Sequence, residues 1–281
     1  MKKFFWTRSF TRPFARRPLY RRAGGFTLIE LVMVILIVGI IGVISTRIVS
    51  QSVLGWIDTS EREGLASPGN AAAEQLVREI RRALPNSVRL FSTGSYTCLE
   101  LVPVISGSQY LNAPVLLAGT TLDAFEFPVV AAGEQGYVAI YPHSEDAVYI
   151  AGDAVSDSLA TLGAISNHQQ ALTFAASEVF PAHSPQRHVY LVGEPLSFCG
   201  NGAGQLWRYS DYGFHADSSA QFNTGNAVLM LDPLVIGATD FTISTVSQDR
   251  HAIVRFAFTM TRSDGSEPQT FVREVQLKNV P

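Results

Sequence analysis

Residues 24–46 read GGFTLIELVMVILIVGIIGVIST. From Phe26 to Thr46 the only charge is Glu30. At about 1.5 Å per residue, a helix of that length spans roughly 30 Å, the thickness of a bilayer's hydrocarbon core. Met33, Ile35, Ile37, Ile40, Ile41 and Ile44 cover every side of it, so it has no polar face. This is the pattern of a transmembrane helix over 26–46 rather than of a surface helix. Gly39 and Gly42 each lower helix stability by about 1 kcal/mol relative to alanine in water. They would permit close packing or local unwinding, and glycine is also simply common in membrane helices. An unpaired carboxylate among lipid tails costs a few kcal/mol, so the position of Glu30 asks for a partner.

The flanking charges orient the span. Lys2, Lys3, Arg8, Arg12, Arg16, Arg17, Arg21 and Arg22 precede it with no acid among them. The rest of the chain holds the other thirteen of its 21 basic residues against all 24 acids, and its only lysine is Lys278. An acidic body without clustered Lys or Arg is a poor surface for phosphates, so no nucleic-acid partner is expected. The positive-inside rule places residues 1–25 in the cytoplasm and the body outside, in a single pass. A cleaved secretory signal would have a shorter apolar region and an A-x-A-like site. ISTRIVSQ (44–51) offers none, so the segment is expected to stay as an anchor. The 281 residues fit one anchor plus one globular domain. Cys98 and Cys199 are too few and too far apart for a metal motif, and would be free to pair in an oxidising compartment.

A basic leader ending in Gly25, then Phe26-Thr27-Leu28-Ile29-Glu30, then the apolar helix, resembles the type IV prepilin and pseudopilin family. The resemblance implies a leader peptide over 1–25. Prepilin peptidase would cut between Gly25 and Phe26 and methylate the new amine of Phe26. It also implies, as partners, major and minor pilins, the inner-membrane pilus assembly platform and membrane lipid. Phe26 and Glu30 are four apart and share one helix face, so the carboxylate could meet its own terminal amine or a neighbour's. The family precedent favours the neighbour and gives Glu30 the role of setting subunit register. The alternative is a Glu30 merely solvated at headgroup depth.

The helix continues past the span. Ala73, Leu76, Val77, Ile80 and Leu84 form an apolar stripe, with Glu74, Arg78, Glu79, Arg81 and Arg82 on the other side. An amphipathic helical region is expected over 47–87. It would be kinked or restarted at Pro68, with Ser67 as N-cap, and ended by Pro85. From residue 88 to 281 strand follows strand: YTCLELVPV, FEFPVV, YVAIY, ALTFA, HVYLV and QLWRYS are β-branched and aromatic. In IVRFAFTM, Val254, Phe256, Phe258 and Met260 share a face; TFVREVQLK returns Phe271, Val275 and Leu277 after an Asp264-Gly265 turn. The expectation is an α+β fold, with a long N-terminal helix whose stripe packs on an antiparallel sheet in a periplasmic or extracellular head. Residues 142–170 and 210–226 read as long loops.

Four segments, REIRRALPNSVRL (78–90), CLELVPV (98–104), SFCGNGAGQLWRY (197–209) and VQLKNVP (275–281), are similar to minor-pilin-like biogenesis proteins of the mannose-sensitive haemagglutinin (MSHA) pilus. Their helix-then-sheet plan is similar to that of J-type minor pseudopilins of type II secretion. From this resemblance comes a proposed Cys98–Cys199 disulfide.

Catalytic chemistry is hard to find. G-x-S-x-G, H-E-x-x-H and the phosphate-loop pattern are all missing, and GNGAG (200–204) precedes a strand-like segment where a phosphate loop needs a helix. His143, His168, His183, His188, His215 and His251 are scattered. Glu145, Asp146, Asp153 and Asp157 could hold calcium but lack EF-hand spacing. No metal, cofactor or catalytic residue is expected. Trp207 reads as core; Tyr209, Tyr212 and Phe214 could be core or contact surface. The leading reading is a minor pilin-like subunit of a type IV, MSHA-type pilus rather than an enzyme. The alternatives are a type II secretion pseudopilin and a pilus-tip adhesin.

Overall fold

The computed structural model describes residues 25–277 except 151, 220, 236, 245–251, 263 and 264. Helix α1 (Leu28–Arg81) is 54 residues long. The chain divides into two compact units, Met1–Asp58 and Thr59–Pro281. Residues 28–58 of α1 belong to the first and residues 59–81 to the second.

The expected restart at Pro68 does not occur: α1 is continuous through that residue. Pro68 cannot donate to the Gly64 carbonyl, but both residues are exposed, so water can reach that carbonyl. Gly69 explains the SPG sequence differently. It is buried, and a Cβ built on it would lie 2.2 Å from Cζ of Phe271. The glycine gives the ring room to lie against the helix backbone. Nor does Pro85 end the helix, which stops at Arg81. There the chain turns extended: Leu84 N–H donates to Val102 O at 2.8 Å and Val104 N–H to Arg82 O at 2.8 Å. Arg78 and Arg81 in the last turn complement the negative helix end.

The head begins with β1 (Arg89–Thr93), β2 (Tyr96–Leu101), β3 (Val104–Asn112), β4 (Gly119–Phe125) and β5 (Gln135–Ala139). A short helix, α2 (Glu145–Tyr149), leads to β6 (Ala160–Leu162), β7 (Gln169–Glu178), β8 (His188–Val192) and β9 (Leu196–Gly200). Then come β10 (Leu206–Ser210), β11 (Asn226–Leu231), β12 (Asp240–Ser244), β13 (Ile253–Met260) and β14 (Gln269–Gln276). Three assemblies result: a five-stranded sheet β1-β2-β9-β10-β11, a three-stranded sheet β12-β13-β14, and a closed barrel β3-β4-β7-β6-β5-β8. Every named pairing is antiparallel. The α+β class holds, but the single sheet expected from sequence is replaced by two sheets and a barrel. Residues 142–170 are correspondingly not one loop, since they contain α2 and β6. FEFPVV is a strand only as far as Phe125. Residues 211–225 carry no helix or strand among those described.

The largest core joins the helix to both sheets. Ala73, Leu76, Val77 and Ile80 pack with Val254, Phe256, Phe258, Met260, Phe271, Val275 and Leu277, and with Leu99, Leu101 and Phe198 of the five-stranded sheet. Leu84, the last residue of the expected stripe, belongs to a different cluster with Val102 and Val192. The terminal hairpin pairs as expected, Phe258 opposite Phe271 and Val254 opposite Val275; Asp264 of its proposed turn lies outside the described residues. Arg62, about two turns before Gly69, makes two bonds to Glu267 at 3.0 and 2.9 Å.

Cys98 and Cys199 form a disulfide, 101 residues apart in sequence and directly opposite on β2 and β9. In the chain-entropy account, closing a loop of that size stabilises by about 4–5 kcal/mol. Two outcomes follow. Cys199→Ser should lower head stability by several kcal/mol, read as the denaturant midpoint under non-reducing conditions; an unchanged midpoint would contradict it. Gly69→Val should cost about 1–3 kcal/mol through overpacking, and Phe271→Leu in the same chain should recover part of that loss.

Candidate functional site

The first unit has little but its helix to work with. Phe26 is 78% exposed, and from Leu28 to Trp56 the large apolar side chains of α1 are all exposed in the isolated chain. Among the described residues α1 is the one helix long and apolar enough to cross a membrane, with a mean hydropathy of 2.9 in its most apolar window. Two of its hydroxyls bond back to the helix: Thr46 donates to Gly42 O at 2.8 Å and Ser52 to Ile48 O at 2.9 Å. That satisfies polar groups that lipid could not.

Thr27 stands just before the first helical residue. Its carbonyl accepts from Glu30 N–H at 3.1 Å and Leu31 N–H at 3.2 Å, and its hydroxyl lies 3.4 Å from Glu30 N. Thr27-x-x-Glu30 is therefore a capping box with its first arm made. A carboxylate in the first turn also favours the positive end of the helix. This role was legible in TLIE and is missed if Glu30 is read only as a misplaced charge. Among the described residues no bond is made by the Glu30 carboxylate, which is exposed. Gly25 is exposed too, with nothing within 4 Å of a built Cβ.

Most of the remaining sequence candidates have local partners, while Asp153 Oδ1 and His188 Nδ1 are buried without a hydrogen-bond partner among the described residues. Glu145 and Asp146 fill the first turn of α2, which Ser144 caps by accepting from Ala147 N–H at 3.2 Å. Asp157 accepts from Gly152 N–H at 2.7 Å. Among the described residues no group of three or more His, Cys, Asp or Glu could hold a metal. GNGAG forms the β9–β10 turn, where Asn201 Oδ1 accepts from Ala203 and Gln205 N–H groups at 3.0 and 2.9 Å. His183 meets Tyr110 hydroxyl at 3.0 Å, and His215 Nε2 donates to Tyr212 O at 2.7 Å. His143 lies 3.2 Å from Tyr141 O and His168 3.4 Å from Glu126, while the backbone N–H of His188 donates to Ser184. His251 lies outside the described residues. Tyr209 and Tyr212 are buried beside the disulfide, with Trp207 packed on them and its indole donating to Gln205 at 3.1 Å. Phe214 packs edge-on against Tyr137.

A buried ionic network was not anticipated. Arg89 on β1 and Glu100 on β2 are opposite each other, 5% and 1% exposed, and joined Nε to Oε2. The guanidinium also donates to Ala216 O at 3.0 Å and His215 O at 2.7 Å, and stacks 3.5 Å over the Tyr149 ring. Tyr212 donates to Glu100 at 2.8 Å, so the Ser197 hydroxyl, 2.7 Å away, donates to Tyr212. Tyr149 donates to Ser87 O at 2.6 Å. Burial pushes the Glu100 carboxyl up from the usual carboxylate range, against the pull of Arg89 and Tyr212. Burial, then the Glu100 charge, pushes the Tyr212 and Tyr149 hydroxyls up, so both stay protonated donors. The signal lay in the hairpin: Arg89 and Glu100 are equidistant from its Gly94-Ser95 turn.

One exposed apolar helix, whose first-turn carboxylate has no partner among the described residues, suits a membrane-anchored subunit, its apolar length covered by lipid or by other helices. Residues 20–46 match the prokaryotic N-terminal methylation motif. Helix, head and motif together support a type IV pilin-like or pseudopilin subunit, for which processing by prepilin peptidase and assembly with other pilins are implied. Comparison with curated protein sequences and with solved structures returns no match.

Arg89→Met would leave Glu100 buried and unpaired, and should destabilise the head by about 3–5 kcal/mol. Adding Glu100→Leu should recover part of that in the same denaturation experiment, which a purely steric role for Arg89 would not allow.

Proposed function

We propose that this chain is a minor pilin-like subunit, made as a precursor with a cytoplasmic leader over residues 1–25 and a head exported to the periplasm. Prepilin peptidase cuts between Gly25 and Phe26 and methylates the Phe26 amine. The mature subunit then leaves the inner membrane for a filament through the assembly platform. The observation that carries this reading is the methylation motif at the head of an exposed apolar helix. Cleavage creates a cation four residues before a carboxylate that has no partner among the described residues. In the low dielectric of a helix bundle, that attraction is worth far more than in water. The amine is a neighbouring subunit's, and meeting it fixes where the incoming helix stops.

The finer assignment is to the MSHA-type pilus, as a biogenesis protein similar to MshO. It rests on the four short segments of resemblance. Segments 78–90 and 98–104 reach the start of β1 and most of β2, and 197–209, much further along the chain, supplies most of β9 and β10, so all three contribute to one sheet. Gene neighbourhood tests this: neighbouring pilus genes fit it, whereas secretin-linked pseudopilin genes would move the protein to type II secretion.

Gly25→Ala should abolish processing, seen as a precursor-sized band; a mature-sized band would overturn the proposal. Glu30→Ala should be cleaved normally yet assemble poorly. Wild-type piliation in that strain would contradict the charge pairing while leaving the cleavage site intact.

A further inference from the structure

β11 is the last strand of the five-stranded sheet, and among the described residues it pairs only with β10. Which of its backbone groups face outward follows from the register. Cys98 and Cys199 are directly opposite with Cα atoms 4.1 Å apart, the close spacing of a pair that exchanges no backbone hydrogen bonds. The N–H and C=O of Cys199 therefore face β10, where Cys199 lies opposite Trp207. Alternation turns the groups of Arg208 toward β11, where it lies opposite Val228. The backbone groups of Ala227 and Leu229 are left facing out of the sheet.

Exposed edges are normally blunted by charges, prolines or bulges that disrupt the outward ladder. β11 reads NAVLML, with no charge or proline, and its one irregularity comes after Leu229. Val228 and Leu229 are 55% and 43% exposed, so the strand is open on both faces. An exposed carboxylate stands at each end. Asp211 accepts from Asn226 Nδ2 at 2.7 Å, and Asp232 directly follows Leu231.

We propose that β11 receives an extended strand from a partner protein: an apolar β segment with a lysine or arginine at each end, added as a sixth strand. Main-chain bonds to Ala227 and Leu229 supply the register, and side chains beside Val228 and Leu229 supply the apolar contact. The charges favour such a partner over a second copy of this chain. Two β11 edges paired antiparallel would set Asp211 against Asp232 at both ends, and like charges so placed are destabilising. The proposal does not depend on how the N-terminus is processed.

The test uses the full chain in detergent micelles. The probe is a short synthetic peptide of alternating valine and threonine with a lysine at each end. In the free protein the amides of Ala227 and Leu229 should exchange rapidly with solvent, and the peptide should slow them. Leu229→Pro deletes an outward N–H without touching the β10 ladder, and should weaken peptide binding about tenfold. Asp211→Asn with Asp232→Asn should weaken the lysine-ended peptide but not a glutamine-ended one. This pair carries the test if circular dichroism shows that the proline disturbs the fold. Equal binding to wild type and the aspartate variant would overturn the proposal. So would amides at Ala227 and Leu229 that are already protected in the free protein, because the edge would then be covered by this chain or its copy.

Discussion

Gly69 has no side chain, and the ring of Phe271 occupies the space one would need. That contact sets how closely α1 approaches the terminal hairpin, and much else follows from it. With the helix axis held near β13 and β14, the stripe from Ala73 to Ile80 reaches Val254, Phe256 and Phe258 on one side and Leu99, Leu101 and Phe198 on the other. Two separate sheets thereby share one core, with the helix as the element common to both. Gly69 and the stripe lie in the same stretch of helix after Pro68, so the Phe271 seat and the shared core are held by one rigid element. Interiors pack at near-crystalline density, so a ring against bare backbone is a defined seat rather than a loose fit.

What could be read from the sequence and what could not divide along the range of the interactions. The helix stripe and the β13–β14 hairpin rest on periodicities of 3.6 and 2 within short windows; the hairpin appears where the residues place it, and so does the stripe as far as Ile80. The barrel does not rest on local pattern. β3 pairs with β8 and β5 with both β6 and β8, and partners separated by a whole loop or more leave no signature in either strand alone. Its interior, with Leu122, Val138, Leu172 and Leu191, is built from strands whose apolar residues would suit a sheet equally well. Of the kink or restart expected at Pro68, the restart is absent, because an exposed proline costs a helix one hydrogen bond without ending it. At the N-terminus, the methylation motif over 20–46 is legible because it is contiguous, and the capping role of Thr27 is just as local.

The Arg89–Glu100 pair shows how the head tolerates charge in its interior. Both ions are taken out of water at a cost that their attraction alone would scarcely offset. The difference is made by two backbone carbonyls, a tyrosine hydroxyl and an aromatic face, so that neither ion is left with an empty side. Those partners come from the irregular segment after β10 and from α2, which gives a loop without secondary structure a defined place on the sheet.

The disulfide has a mechanical meaning. β2 and β9 are neighbours in one sheet, with Leu101 opposite Leu196, and the whole barrel lies in the chain between them. The chain thus leaves the sheet for the barrel and returns at nearly the same point, and Cys98–Cys199 bolts that doorway shut. A pull applied along the covalent chain takes the shortcut through sulfur. Residues 99–198 hang off the line of tension like a pendant from a cable, and the barrel can be stretched only after the bond is cut.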